Sequence, residues 1–237
     1  MSNADRFINR HKSRVCQGRR PVSAATPSGV TASQAVSRQQ SGVSLSNKDR
    51  LMLAALDADM NRLQRIQSHA TRDVLKRDEL LGRYTEYLEN LIKQDKATTP
   101  EIIFRNMIWA IDVEQVDWAM TLGIFAIKHG IDSPEGFRRD IRNAFVGDMA
   151  RLALKWQKAR KPANWIQDIH VKSKHWDLID EIRADLLKAT ATNEESSGNL
   201  QAALDLYQEA IRVYPRCRVT RIINRLEKQL NAQGGTK

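Results

Sequence analysis

Residues 107–134 read MIWAIDVEQVDWAMTLGIFAIKHGIDSP, and their apolar side chains recur at helical spacing. A first helix is predicted to begin upstream at Thr99 and Pro100, because a hydroxyl N-cap followed by proline at the first helical position is a preferred start. A second helix follows Asp112 and ends near Gly130, which accepts the left-handed C-cap conformation, while Pro134 cannot continue it. Small residues would let another helix approach closely at Ala119, Gly123 and Ala126. The stretch therefore predicts a helical hairpin that serves as scaffold.

A long helical hairpin is predicted upstream, over residues 45–96. Ser46 and Asp49 resemble a capping box, and a charged amphipathic helix of about 30 residues is expected to follow. Its narrow apolar stripe comprises Met52, Leu56, Leu63, Ile66, Ala70 and Val74. The segment LLGRYTEYLENLIKQ predicts a second helix. The stripe is close to a heptad, so it is expected either to pack within one chain or to pair subunits in a homo-oligomer.

The C-terminal half is also predicted to be helical. SGNLQAALDLYQEAIRVYP places small and aromatic residues at the spacing of a tetratricopeptide-type hairpin, with Gly198 in the turn; these residues are Ala203, Tyr207, Ala210 and Pro215. A helix is expected after Ser133, followed by a loop-like connector over residues 163–177, in which Ser173 could cap the next helix. The last helix is expected to carry Arg218, Arg221 and Arg225 on one face, which indicates either a phosphate contact or a solvated surface.

Taken together, these patterns predict an all-α fold without strands. The predicted divisions are a basic arm and flexible linker (1–44), the long hairpin (45–96), a central helical domain (97–172), a C-terminal hairpin region (173–231) and a tail (232–237).

The formal charge of +10 is concentrated near the N-terminus, since residues 1–50 hold nine Lys and Arg against two Asp. Residues 17–44 are rich in Ser, Ala, Gln and Gly, so they are expected to remain disordered. Basic arms of this kind bind DNA or RNA through phosphates, although a merely solubilising tail is the alternative. The candidate DNA-binding residues are Arg6, Arg10, Lys12, Arg14, Arg19 and Arg20.

No motif for catalysis or cofactor binding is evident in the sequence. Cys16 and Cys217 are too far apart in sequence for a paired zinc motif, and His170 and His175 lack a recognised ligand spacing. Asp177, Asp180 and Glu181 could share a helix face, but an acidic first turn is explained more simply by helix capping. We therefore expect no metal and no cofactor. The absence of an apolar run of about 18 residues predicts no membrane span and a cytoplasmic protein.

Several of these segments together resemble the small terminase subunit of peduovirus-type (P-two-like) temperate phages, the M proteins. The resemblance runs from about residue 51 onward and rests on Trp109 and Asp112 with the helix that follows, on GFRRDI, and on the hairpin from Gly198 to Pro215. Family members often carry two adjacent acids near the segment FVGDMA, which here retains only Asp148.

The resemblance implies a viral DNA-packaging role. A small subunit of this family would select double-stranded phage DNA at the cohesive-end site and recruit the large ATPase subunit, which cuts the DNA and packages it into proheads in the host cytoplasm. The family is conventionally labelled the endonuclease subunit, so the alternative is that this chain itself cleaves DNA, with Mg²⁺ as cofactor. A helical interaction scaffold without DNA binding is the third hypothesis.

Overall fold

The computed structural model describes residues 45–234, and the fold in this range is all-α, as predicted. The α-helices, in chain order, are α1 (Asn47–Arg65), α2 (His69–Leu75), α3 (Leu81–Lys93), α4 (Pro100–Asp112), α5 (Val116–Lys128), α6 (Ile141–Lys158), α7 (Ile166–Lys172), α8 (Asp180–Ser196), α9 (Leu200–Val213) and α10 (Thr220–Gly234). A π-helical segment (Lys76–Leu80) joins α2 to α3, and a 3₁₀ turn (Pro215–Cys217) lies between α9 and α10. The predicted arm and linker, residues 1–44, lie outside the described range. Within that range, no helix combines the length and the apolar character that crossing a bilayer requires.

The long hairpin begins with the predicted capping box: the Ser46 hydroxyl accepts a hydrogen bond from the Asp49 amide, and the Asp49 carboxylate accepts one from the Ser46 amide. The prediction of one helix of about 30 residues was wrong, because the chain leaves the helix at Ile66 and re-enters it after Ser68. The Ser68 hydroxyl caps α2 by accepting from the Thr71 amide. Arg72 Nε donates to the Ile66 carbonyl, six residues earlier, at 2.7 Å. This hydrogen bond and the Ser68 cap together fix the turn of the hairpin.

The returning arm of the hairpin is continuous from α2 through the π segment to α3. The π segment, which has one more residue per turn than an α-helix, begins at Lys76. Lys76 is buried here, at 5% exposure, while Val74, expected on the apolar stripe, is 50% exposed. Ala70 is also exposed, so the predicted stripe was wrong at its last two members.

Two tyrosines of α3 join the two arms of the hairpin. The hydroxyl of Tyr84 donates to Asp59 at 2.7 Å, and that of Tyr87 donates to Asp49 at 2.6 Å. Both carboxylates belong to buried residues. A buried carboxylate needs hydrogen-bond donors. Each pair therefore favours the one register of the two arms in which the tyrosine hydroxyl reaches the aspartate.

The predicted central hairpin is present as α4 and α5. Thr99 is the N-cap of α4, as expected, but its hydroxyl lies 3.0 Å from the Tyr87 hydroxyl and makes no side-chain capping bond. Gly130 ends α5 with φ of +59°. Gly123 lies against the ring of Phe145 on α6, so the predicted close approach of another helix is confirmed.

The connector over residues 163–177 was predicted as loop-like, and this was wrong, because it contains α7. Buried Ile166 and Ile169 anchor this short helix to the main core. Ser173 ends α7 and does not cap α8, which begins at Asp180. The amide of Ile179, just before α8, instead donates to Asn143 on α6 at 2.8 Å.

Two hydrophobic clusters share α8. Leu186 and Ala189 face the main core formed by the two hairpins and α6, whereas Ala184, Leu187 and Ala191 face a smaller cluster with α9 and α10. The predicted tetratricopeptide-like features of α9 are present: Gly198 has φ of +84°, and Ala203, Tyr207 and Ala210 are buried. Because α8 is one continuous helix, it holds the C-terminal hairpin on the central body.

Candidate nucleic-acid interface and ion-pair cluster

The predicted DNA-binding residues lie outside residues 45–234, so the structure neither places nor tests them; they are Arg6, Arg10, Lys12, Arg14, Arg19 and Arg20. Within the described range two charged features stand out. One is an ion-pair cluster at the junction of α2, α4 and α6. The other is a basic surface around the start of α10.

The ion-pair cluster is centred on Lys76. Its ammonium group lies 2.8 Å from a carboxylate oxygen of Asp112 and 3.4 Å from one of Asp73. Burial raises the pKa of Asp112, an effect that Lys76 opposes and that the nearby charges of Asp148 and Asp73 reinforce. A lysine and an aspartate from different parts of the hairpins are therefore held together where water is scarce.

Asp148, the acid retained in FVGDMA, lies on α6 between two arginines. Arg139 lies 3.2 Å from its carboxylate, and Arg151 also pairs with it. Arg139 and Arg151 line a cavity of about 240 Å³ between α6 and the start of α8, together with Gly147, Ile179, Glu181, Ile182 and Asp185. The carboxylate of Asp148 is thus occupied by cationic donors of its own chain.

These ion pairs fit a role in stabilising the fold better than a role in metal-dependent chemistry. Two-metal cleavage of a phosphodiester needs carboxylates that converge on cations, whereas Asp112 and Asp148 converge on Lys76, Arg139 and Arg151. In residues 45–234 no group of three or more His, Cys, Asp or Glu side chains is arranged to hold a metal ion.

The other candidate metal residues are also dispersed. Asp180 and Glu181 are exposed in the first turn of α8, where carboxylates favour the helix dipole. His175 is exposed, and burial lowers the pKa of His170, which lies near Glu209 of α9.

The basic surface surrounds the entry to α10. Its exposed side chains come from the end of α9, the 3₁₀ turn and the first turns of α10; they are Arg212, Arg216, Arg218, Arg221, Arg225 and Lys228. The prediction that Arg218 lies on the last helix was wrong, because it precedes α10 in the left-handed conformation, with φ of +61°. Arg225 forms an ion pair with Glu195 of α8 at 2.5 Å.

The backbone under this surface is fixed by buried apolar residues. Cys217 and Val219 are at most 7% exposed, and Ile223 and Leu226 extend the same face along α10 into the smaller cluster. Their i, i+3 and i+4 spacing directs Arg221 and Lys228 away from the core. The sequence pattern had indicated a basic face on α10. The structure adds the exposed Arg216 of the 3₁₀ turn to that face.

Sequence reasoning missed Lys76 and Arg139 as members of a cluster. The sequence pattern predicts a charged amphipathic helix through this region, and the burial of Lys76 at the start of the π segment was not predicted. A local signal for Arg139 is absent, since its partner Asp148 lies nine residues along the chain across the start of α6.

A family model described as "Phage small terminase subunit" matches residues 53–181, more than half of the chain, from α1 into the first turn of α8. The chain is 26% identical over 181 residues to the "Terminase, endonuclease subunit" of Escherichia phage P2, an alignment that covers 76% of this chain and 73% of that protein. No solved structure matches.

Proposed function

Because the chain belongs to the phage small terminase subunit family, we propose that it binds double-stranded phage DNA at the cohesive-end site and recruits the large ATPase subunit. The family assigns the chain a part in DNA packaging by a terminase. The finer proposal is that the small subunit selects the DNA, and that the large subunit cuts it and drives it into proheads in the host cytoplasm.

The observation that carries the proposal is the family match, and the distribution of charge supports DNA as the ligand. Residues 1–50 hold nine cations and two acids, so that segment has a balance of +7 out of the total of +10. Each phosphate that a Lys or Arg neutralises releases condensed counterions, which makes binding favourable and salt-dependent. Contacts of this type position a protein on DNA without reading its bases. The candidate residues for this role remain the six arm cations named above.

The helical body provides surfaces for the protein partners in this proposal. The outward side of α1 carries exposed Leu51, Ala54 and Ala58 at helical spacing, which is compatible with a homo-oligomer paired through the long hairpin. The C-terminal helical hairpin, with its small-residue packing, would dock the large subunit or the prohead.

An endonuclease activity of this chain is the second candidate function. The name of the phage P2 relative favours it. Against it stands the occupation of Asp148 by Arg139 and Arg151, which leaves no carboxylate cluster ready for Mg²⁺ in the described range. A scaffold that binds protein partners but not DNA is the third candidate.

A salt-dependent DNA-binding titration tests the three functions together. The full chain would be titrated onto cohesive-end DNA and onto a scrambled duplex, by fluorescence anisotropy and gel shift, with and without Mg²⁺. DNA selection predicts tighter binding to the cohesive-end duplex and no cleavage. Nicking by the purified chain in Mg²⁺ alone would favour the endonuclease, and no binding to either duplex would leave only the scaffold.

The role of the arm is tested by two variants with equal loss of charge. One neutralises the six arm cations to Ala, and deletion of residues 1–20 serves as a second form of the same test. The control neutralises six exposed cations of the helical body: Arg50, Arg65, Arg77, Lys96, Lys172 and Lys174. If all six arm residues contact phosphates, the slope of log affinity against log salt falls by about 5 in the arm variant. Equal effects in both variants would show that net charge matters and that the arm has no specific role.

A further inference from the structure

We propose that the basic surface around the start of α10 is a second contact for the phosphate backbone of duplex DNA, made by four of its cations: Arg216, Arg218, Arg221 and Lys228. This inference rests on the proposed function, since it assumes that the chain binds DNA. It assigns part of that binding to the folded body, at a place outside the residues that the family model matches.

The charge balance of the body supports this assignment. Residues 45–234 contain 30 Lys and Arg and 27 Asp and Glu. Residues 212–234 hold six of those cations and one of those acids, a balance of +5, which leaves 24 cations and 26 acids, a balance of −2, in the remainder of the described chain. The net positive charge of the described chain therefore comes from residues 212–234, which carry this surface.

Most cations of the surface form no ion pair, unlike those of the ion-pair cluster. Arg225 pairs with Glu195, and the one local acid, Glu227, accepts from Gln208 at 3.4 Å. Within residues 45–234, Arg216, Arg218, Arg221 and Lys228 make no ion pair with an acid. These four cations are exposed, so a ligand in solvent can reach them.

The spacing along α10 differs from that of an ordinary solvated face. Such a face usually alternates acids and bases three or four residues apart, because those pairs stabilise the helix. Within α10, the positions three and four residues after Arg221 hold Asn224 and Arg225, and the position three residues after Arg225 holds Lys228, so no acid stands at these spacings. Like charges at this spacing destabilise a helix by a few tenths of a kcal/mol, and a bound polyanion would relieve that repulsion.

The geometry suits a duplex backbone. At a rise of about 1.5 Å per residue, Arg221 and Lys228 are separated by about 10 Å along the helix axis. A 10 Å length of duplex DNA presents about six phosphate charges. Arg216 and Arg218 flank the N-terminal end of α10, where the helix dipole adds a partial positive charge.

The experiment measures the salt dependence of DNA binding by a neutralised variant of the full chain. Arg216→Gln, Arg218→Gln, Arg221→Gln and Lys228→Gln are combined, because glutamine removes the charge and keeps a polar side chain of similar helix propensity. The matched control carries Arg50→Gln, Arg77→Gln, Lys172→Gln and Lys174→Gln, four exposed cations elsewhere. A third variant exchanges Arg for Lys and Lys for Arg at the four proposed sites, which preserves charge. Circular dichroism and thermal unfolding verify that each variant is folded.

Four phosphate contacts predict that the salt slope falls by about 3.6, so that between 50 and 200 mM salt the neutralised variant loses about 100-fold less affinity than the wild type. The loss should be the same on cohesive-end and scrambled DNA, since phosphate contacts carry no sequence information. The charge-exchanged variant should retain the wild-type slope, and the control should change it by less than one.

Two outcomes would overturn the inference while leaving the proposed function intact. One is an unchanged salt slope in the neutralised variant together with a loss of slope in the arm variant. The other is an unchanged slope with loss of binding to the purified large subunit, which would make the surface a docking site for an acidic protein. If the wild type binds neither duplex at any salt concentration, the proposed function itself fails, and the second contact fails with it.

Discussion

Gly123 on α5 provides the sharpest test of the packing in this fold. A Cβ atom at this position would lie within 3.0 Å of three carbons of the Phe145 ring on α6. Phe145 is fully buried, so its ring cannot turn into solvent to make room. Gly123→Ala is therefore predicted to force α5 and α6 apart or to push the ring off its preferred rotamer.

The net effect follows from two opposing contributions. Replacing glycine by alanine within a helix stabilises the helix by about 1 kcal/mol. Overpacking a well-filled core costs about 1–3 kcal/mol, and a contact with three ring carbons places this case at the upper end. We expect Gly123→Ala to lower the free energy of unfolding by about 2 kcal/mol, and to lower Tm by about 4–8 °C for a chain of this size.

Gly82 supplies the matched control. It lies near the start of α3, where a Cβ atom would meet nothing within 4 Å. Gly82→Ala should therefore gain about 1 kcal/mol from helix propensity alone, so that the two alanine variants differ by about 3 kcal/mol. Urea unfolding followed by circular dichroism measures both variants.

A second substitution tests the cause of the loss. Phe145→Leu removes the ring, so Gly123→Ala should cost less in that background than in the wild type, with a coupling energy of about 1–2 kcal/mol. A Gly123→Ala variant at least as stable as the wild type, alongside the expected gain for Gly82→Ala, would refute the packing of α5 on α6.

Three further perturbations test the polar contacts of the body. Tyr87→Phe removes the hydroxyl that donates to buried Asp49 and should destabilise the fold by about 1–2 kcal/mol in urea unfolding, with no loss expected if that hydrogen bond is absent. Lys76→Met removes the buried ammonium group that pairs with Asp112 and should lower the free energy of unfolding by about 3 kcal/mol at pH 7, with partial recovery when Asp112→Leu is added. A Lys76→Met variant as stable as the wild type would contradict a stabilising role of this ion pair. The pKa of Glu114 is lowered, chiefly by its hydrogen bond from Lys155, so its stabilising effect of about 1 kcal/mol is present above pH 4.5 and is lost as the pH falls through the lowered pKa. The free energies of unfolding of Glu114→Gln and wild type should therefore differ at neutral pH and become equal in acid. A difference that does not change with pH would show that the charge of Glu114 is not its cause.

Local signals predicted the helices well where caps and glycines set their ends. The capping box of Ser46 and Asp49, the start of α4 after Thr99 and the left-handed Gly130 all act within one helical turn. Local spacing is sufficient for such features: the Ser46 side chain satisfies a backbone amide three residues away, Pro100 suits the first helical position, and glycine accepts the left-handed conformation.

Prediction failed where the backbone responded to distant partners. The turn after Arg65 and the π segment that follows are not distinguished by hydrophobic periodicity from one long helix. The start of α8 is likewise anchored by Asn143, 36 residues before Ile179, so no local cap signal marks it. Helix propensities differ by well under 1 kcal/mol for most residues, and tertiary contacts of this kind override them.

The sequence alone determined the all-α class, the central and C-terminal hairpins, the family resemblance and the uneven distribution of charge, because helical periodicity, capping and net charge are local or additive properties. Only the tertiary structure decided which charged side chains form ion pairs within the chain and which stay exposed without one. It directs Lys76 inward and places Asp148 between two arginines, but leaves Arg216 and Arg221 without an acid among the described residues. The physical reason is that ion pairing depends on distances between separate helices, which one-dimensional spacing does not contain.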